Sequence, residues 1–350
     1  MTKRSHYITG EIATPAGSVP CVESGLFLRD RLETWKVRWR IGRMKYTVQP
    51  GLYAVGSPDS SSEVLVTANF KLTFDCVRSV LSGLDIWILV LDTKGINVWC
   101  AAGKGTFGTA ELLHQIAATR LSEIVEHRRL LLPQLGAPGV AAHEVKKGSG
   151  FKVLYGPVLA RDIPAFIAAG MEATPAMRRK RFPLSERVVL IPVELMGTLK
   201  YMIPAAAVFW FLSGFGGPGE YWSNVSTFGT LAVASLLASL LAGAVFVPLL
   251  LPWLPGRAFS LKGLWMGLIA SGAALFWFGS GLTTLAGRLE AGSWLLMVTA
   301  LSSFLGMNFT GASTYTSLSG VRKEMRTAVP LQIGAAAVGC ILWLASRLMA

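Results

Sequence analysis

Charge nearly vanishes from this chain after Arg187. Residues 188–350 hold eight Lys and Arg and four Asp and Glu, whereas residues 1–187 hold 25 and 16. Within the charge-poor part lie five apolar spans, at about 190–213, 226–251, 262–286, 292–312 and 328–348. Each is near the ~20 residues needed to cross ~30 Å of hydrocarbon. The chain is therefore expected to be a soluble N-terminal part followed by an all-α transmembrane domain of five helices, residues 190–350. Glu194 and Lys200 interrupt the first span.

Loop charge orients the spans. Arg178, Arg179, Lys180, Arg181 and Arg187 precede the first, in a basic juxtamembrane linker at 176–189, and the next loop, "GFGGPGEYWSN", has no Lys or Arg. Arg257 and Lys262 follow the second span, Arg288 alone the third, and "VRKEMR" the fourth. This alternation predicts a cytosolic N-terminus and an external C-terminus in a multi-pass protein of the cytoplasmic membrane. The first residues, "MTKRSHYITGEIATPAG", carry no apolar h-region, so no cleavable signal is expected. The net charge of +13 does not imply nucleic acid, because "RRKR" (178–181) adjoins a span and reads as a bilayer-facing cluster. Cys21, Cys76, Cys100 and Cys340 have no metal-ligand spacing, which excludes a resident iron–sulfur or structural zinc site. No internal repeat supports a transporter.

In the soluble part, residues 1–62 are rich in Gly, Pro and Ser and are expected to be irregular. From Glu63 to about residue 175 the pattern is α/β. "EVLVTA" reads as a strand and "KLTFDCVRSVLSG" as an amphipathic helix stopped by Gly83. The nearly all-apolar "DIWILVLD" (85–92) reads as a strand covered on both faces. Helix "TAELLHQIAATRL" (109–121), strands "RRLLLP" (128–133) and "FKVLYGP" (151–157), and a short helix in "ARDIPAFIAAG" follow. Alternating strands and helices predict a mostly parallel, Rossmann-like sheet with its ligand site at the strands' carboxyl ends.

One such end leads into "NVWCAAGK" (97–104), with a single cysteine. The glycine-rich "AAGKGTFG" is not a phosphate-binding P-loop, because Val98 stands where that motif needs glycine and Gly105 where it needs Ser or Thr. Cys100 near a helix start suits a thiolate nucleophile. However, no sequence context makes His114, His127 or His143 its base. Burial as a small hydrophobe is the plain alternative.

"GINVWCAAGKGTFGT" resembles the cap-helix signature of the corrinoid protein of microbial mercury methylation, the HgcA family. The flanking "VLVTANFKLTFDCVRSVLSGLDIWILVLDTKG" and "LLPQLGAPGVAAHEVKKGSGFKVLYGPVLARDIPAFI" resemble the corrinoid-binding domain that this family shares with the large subunit of the corrinoid iron–sulfur protein of acetyl-CoA synthesis. The resemblance covers about residues 63–170, and a five-span tail fits the mercury family. It implies a corrinoid (cobalamin) with Cys100 as lower axial ligand to cobalt. Asn97, Val98, Trp99, Ala101, Ala102, Gly103 and Lys104 would form the cap helix under the corrin. The small Ala101, Ala102 and Gly103 suit a flat macrocycle, and Trp99 either takes part or packs on the sheet. Thr67, Asn69, Thr73, Tyr155 and Gly156, at or after strand ends, are expected to contact corrin amides, although such polar residues also cap helices.

The implied chemistry accounts for a cysteine without a base. Hg(II) is an electrophile, so the methyl group must leave cobalt with its electron pair or as a radical. A soft thiolate opposite it favours carbanion-like transfer. The reading is thus a membrane-anchored methyltransferase giving methylmercury. Expected partners are a ferredoxin-like iron–sulfur protein, a methyl-donating methyltransferase or methyl-folate, Hg(II) and the lipid bilayer, with no nucleic acid. Four cysteines in total cannot ligate cobalt and also hold a cluster, so the low-potential electrons must come from outside. A corrinoid methyl carrier for another acceptor, and a transporter or sensor with a cytosolic ligand domain, are the alternatives. The polar "GMNFTGASTYTSLSGVRKEM" (306–325) suits helix packing, docking or a conduit, and Cys340 suits helix packing.

Overall fold

Val64–Ala68 and Ile86–Leu91, the two most apolar runs of the soluble part, pair as parallel central strands of a seven-stranded sheet. The computed structural model describes residues 5–278, 282–312 and 318–350. They divide into two units, Met1–Val37 with Ile41–Arg181, and Arg38–Arg40 with Phe182–Ala350.

In chain order the first unit contains β1 (Ile8–Thr14), β2 (Gly17–Val22), α1 (Leu28–Arg38), β3 (Gly51–Val55), β4 (Val64–Ala68), α2 (Lys71–Arg78) and β5 (Ile86–Leu91). There follow α3 (Val98–Lys104), α4 (Thr109–Ala118), α5 (Leu121–Ile124), β6 (Arg129–Leu132), α6 (Ala142–Ser149), β7 (Lys152–Tyr155) and α7 (Ile163–Ala168). The strand order is β1-β2-β3-β5-β4-β6-β7. Pairing is parallel from β5 through β4 and β6 to β7, and antiparallel between β1 and β2 and between β3 and β5. Alternation along β5 sends Trp87, Leu89 and Leu91 into the core beneath α3, α4 and α6. Ile86, Ile88 and Val90 join Phe74 of α2 and Phe166 of α7 on the other face. Covering both faces explains why these strands show no polar alternation.

The N-terminal segment corrects the sequence reading. Residues 1–62, expected to be irregular, carry three strands of the sheet and α1. β1 exposes alternate positions, so polar residues on its solvated face hide the strand pattern. A buried charge cluster ties α1 to α2. Lys71 Nζ donates to Asp30 Oδ1 at 2.7 Å and Asp75 Oδ2 at 2.6 Å, and Arg78 bonds the other oxygens of both carboxylates at 2.8 Å. Burial alone would raise the Asp30 carboxyl, but hydrogen bonds from Lys71 and His6 hold it well below the usual carboxylate range.

Helix ends also differ. α2 stops at Arg78 rather than at Gly83, because the chain turns through Val80 N–Val77 O and Leu81 N–Arg78 O bonds. The helix expected over 109–121 breaks after Ala118, where Arg120 takes φ 51° and α5 begins.

The second unit has five helices long and apolar enough to cross a membrane: α8 (Leu184–Leu212), α9 (Tyr221–Leu250), α10 (Phe259–Trp277), α11 (Leu285–Asn308) and α12 (Ser319–Leu348). The fifth starts nine residues before its expected position and the fourth seven. The side chain of Thr284 accepts from Gly287 N at 3.1 Å and starts α11 seven residues early, inside the expected third span. Small residues let α10 and α11 touch, since a Cβ on Gly263 would stand 2.4 Å from Ser302 O. Cys340 Sγ lies 3.7 Å from Met297 Sδ between α11 and α12, a packing contact. Of the polar stretch 306–325, residues 313–317 lie outside the described residues.

Candidate functional site

Parallel strands bring the carboxyl ends of β4, β5, β6 and β7 to one edge of the sheet. The chain leaving β5 there forms α3. Asn97, in extended conformation, caps it by accepting from Cys100 N at 2.9 Å. Gly105 ends it at φ 80°, where its N–H reaches Ala102 O and Thr106 N reaches Ala101 O. That left-handed residue is what a helix stop of this type requires, and glycine supplies it without strain.

α3 has two faces. Val98, Ala101 and Ala102 are buried in the core, whereas Asn97, Trp99 and Cys100 are half-buried and Gly103 and Lys104 are exposed. At ~100° per residue, Cys100 lies midway along the outward arc, between Gly103 and Lys104. The thiol therefore sits on a face where the adjoining position has no side chain. This revises the expected role of the small residues. Ala101 and Ala102 are small because the turn at Gln134–Gly139 presses on the inner face of α3. A Cβ on Gly139 would stand 2.1 Å from Phe107 O and 3.0 Å from Ala102 Cα. Only Gly103 serves the cysteine's own face. Trp99 is not among the residues of the sheet core.

The polar residues expected at the strand ends are mostly engaged within the protein. Asn69 is buried and holds the loop between β5 and α3. Its Oδ1 accepts from Thr93 N (3.1 Å), Thr93 Oγ1 (2.9 Å) and Gly95 N (3.0 Å), and its Nδ2 donates to Asp92 Oδ1 at 3.0 Å. Tyr155 OH donates to Val140 O at 2.8 Å, and Gly156 N to Leu132 O at 2.8 Å. Thr73 lies half-buried in the first turn of α2. Thr67 is buried on the α2 face of β4, with Leu65, and its hydroxyl has no hydrogen-bond partner among the described residues. Cys100 thus shares its edge with these residues, but Thr67 points to the opposite sheet face.

Several supports were not anticipated. Asp92 N donates to Glu111 Oε1 at 2.8 Å, fixing the strand end to α4. The hydrogen-bonded Lys94 ammonium holds the Asp92 carboxyl below its ordinary value. Lys71 N donates to Tyr46 O at 3.0 Å and Val48 N to Asn69 O at 2.8 Å, so the N-terminal segment reaches the same edge. The Gly-Pro content of "LGAPG" was the available signal for the turn against α3. Nothing in the sequence pattern pointed to Thr93 or Glu111. Among the described residues, no group of three or more His, Cys, Asp or Glu is placed to hold a metal ion.

Comparison with known proteins matches residues 41–167 to the family described as CdhD, CO dehydrogenase/acetyl-CoA synthase delta subunit. Similar proteins include subunits gamma of the acetyl-CoA decarbonylase/synthase complex. That of Methanopyrus kandleri is 38% identical over 122 residues, 34% of this chain and 26% of the relative. That of Archaeoglobus fulgidus is 36% identical over 118 residues, 33% and 25%. That of Methanosarcina acetivorans is 37% identical over 130 residues, 36% and 27%. The chain spans about a quarter of the length of these relatives. Residues 41–167, which include α3 and the strand edge around it, are thus similar to the CdhD domain, on a chain that continues into five helices able to span a membrane.

Proposed function

We propose that this chain is a membrane-anchored, corrinoid-dependent methyltransferase that passes a methyl group to inorganic Hg(II). The observation that carries the reading is the Cys100 thiol, set on the outward face of a capped helix beside Gly103. The domain similarity and the eight-residue "NVWCAAGK" resemblance support it.

The residues fit a flat macrocycle. Cys100 offers one soft donor and Gly103 leaves room beside it. When bound, the corrinoid supplies the cobalt centre that carries and releases the methyl group. Cys100 would hold it through its sulfur, giving up the thiol proton. Asn97 holds the Cys100 backbone, while Asn69, through Thr93 and Gly95, fixes the loop that leads to it. The Cys100 thiolate would supply a soft, strongly donating sulfur to that centre. Val98, Ala101 and Ala102 act from beneath by anchoring α3, and Trp99 and Lys104 flank the thiol. Thr73, Tyr155 and Gly156 belong to the supporting edge.

The alternating loop charges support a cytosolic N-terminal unit and an external C-terminus. A ferredoxin-like protein would supply electrons, and a methyltransferase or methyl-folate the methyl group. The match to acetyl-CoA decarbonylase/synthase subunits favours a second reading, a corrinoid methyl carrier for another acceptor. The test is multiple-turnover methylation by the full chain, given a methyl donor, a low-potential reductant and Hg(II). Cys100→Ala should abolish methylmercury formation. Unchanged turnover by that variant refutes the ligand role, and a loaded wild type that never methylates Hg(II) selects the second reading.

A further inference from the structure

α1 turns its apolar side outward. Leu28 is 73% exposed, Leu32 56% and Trp35 66%, at the i, i+4 and i+7 positions of one face. At ~100° per residue they fall within about 60° of arc. Arg31 and Arg38 lie on one flank of that arc, and Lys36 and Arg29 on the other. The opposite side holds Val37, buried in the unit, and Asp30, bonded to Lys71 and Arg78. Glu33 is engaged by Arg29 at 2.9 Å. The exposed Ile41 and Met44, with three more basic residues, continue the pattern to Lys45.

An apolar stripe with cations along both borders is the arrangement of a helix lying in a membrane interface. Its hydrocarbon side chains enter the acyl boundary while basic side chains reach up to the headgroups. We infer that residues 28–45 form an in-plane contact with an anionic phospholipid surface. Charge decides the occupant: seven Lys and Arg stand against two carboxylates, and both carboxylates are paired within the protein. The contact would tether the site edge directly, since Tyr46 and Val48 bond to Lys71 and Asn69 immediately after this segment. The inference does not depend on the corrinoid reading.

The test uses the full chain in vesicles, comparing phosphatidylcholine with phosphatidylcholine–phosphatidylglycerol mixtures. Subtracting the emission of Trp35→Phe from that of the wild type isolates Trp35. In the anionic vesicles this difference emission should be quenched more by lipids brominated near the headgroup than by lipids brominated near the bilayer centre, and weakly by aqueous iodide. Arg31→Gln with Lys36→Gln should shift quenching from bromolipid toward iodide. Strong iodide quenching of the wild type would overturn the inference. Shielding from both quenchers would overturn it too, showing a protein partner or a second copy on this face. Equal bromolipid quenching in pure phosphatidylcholine, unmoved by the Gln substitutions, would overturn the anionic-headgroup assignment.

Discussion

Asn69→Ala is the substitution that separates support of the site from direct contact with a ligand. The Asn69 side chain makes four hydrogen bonds, three of them accepted by one oxygen from Thr93 and Gly95. The one hydroxyl hydrogen of Thr93 can go to Ile96 O, 2.6 Å away, so the principal loss is two buried backbone N–H groups without acceptors. Each such orphan costs about 1–3 kcal/mol, so the substitution should destabilise the loop by about 2–6 kcal/mol. For a unit of this size each kcal/mol moves the midpoint about 2–4 °C, so the midpoint should fall by roughly 4–24 °C. Thermal unfolding of the ligand-free full chain reads the loss, and amide exchange over residues 92–100 localises it. An Asn69→Ala protein that melts like wild type and exchanges normally, yet binds corrinoid weakly, would refute this reasoning. Asn69 would then be a ligand contact, as its place after a strand first suggested.

Asp30→Asn should cost about 3–5 kcal/mol, because Lys71 and Arg78 would be left buried against one carboxylate instead of two. Asp30 has a depressed native pKa, so its stabilising contribution is complete above the unfolded carboxylate value of about 4 and is lost as pH falls below it. Circular dichroism should place acid unfolding of wild type below pH ~4, with a shallower acid limb in Asp30→Asn. Gly139→Ala should displace α3 and cost about 1–3 kcal/mol, since its Cβ meets backbone rather than a flexible side chain. Gly10→Ala, which meets nothing within 4 Å, is the neutral control for melting.

Sequence pattern carried the central sheet and the five spans because those features bury continuous apolar runs. β4, β5, β6 and β7 fall within the stretches read as strands, and each expected span overlaps a helix. The edge strand β1 escaped because alternate positions are solvated, and α1 because its apolar residues face outward. Cap chemistry, not hydropathy, set the limits of α11, where Thr284 acts inside an apolar run. At the site, Cys100 and its Asn97 cap could be found because they are local in sequence. The roles of Asn69 and Tyr155 could not, since both depend on partners brought in by the sheet, at Thr93 and Val140. Ala101 and Ala102 show the same limit. Their size was read as room for a ligand, and both are buried on the inner face of α3, where Gly139 lies against Ala102.

The central claim is that Cys100 ligates the cobalt of a bound corrinoid. The most direct measurement is the absorption and paramagnetic resonance spectrum of the corrinoid-loaded full chain, wild type against Cys100→Ala. The wild type should show a sulfur-ligated, base-off cobalt signature, and Cys100→Ala should lose the sulfur signature even where corrinoid is retained. Identical cobalt spectra from the two proteins would contradict the account.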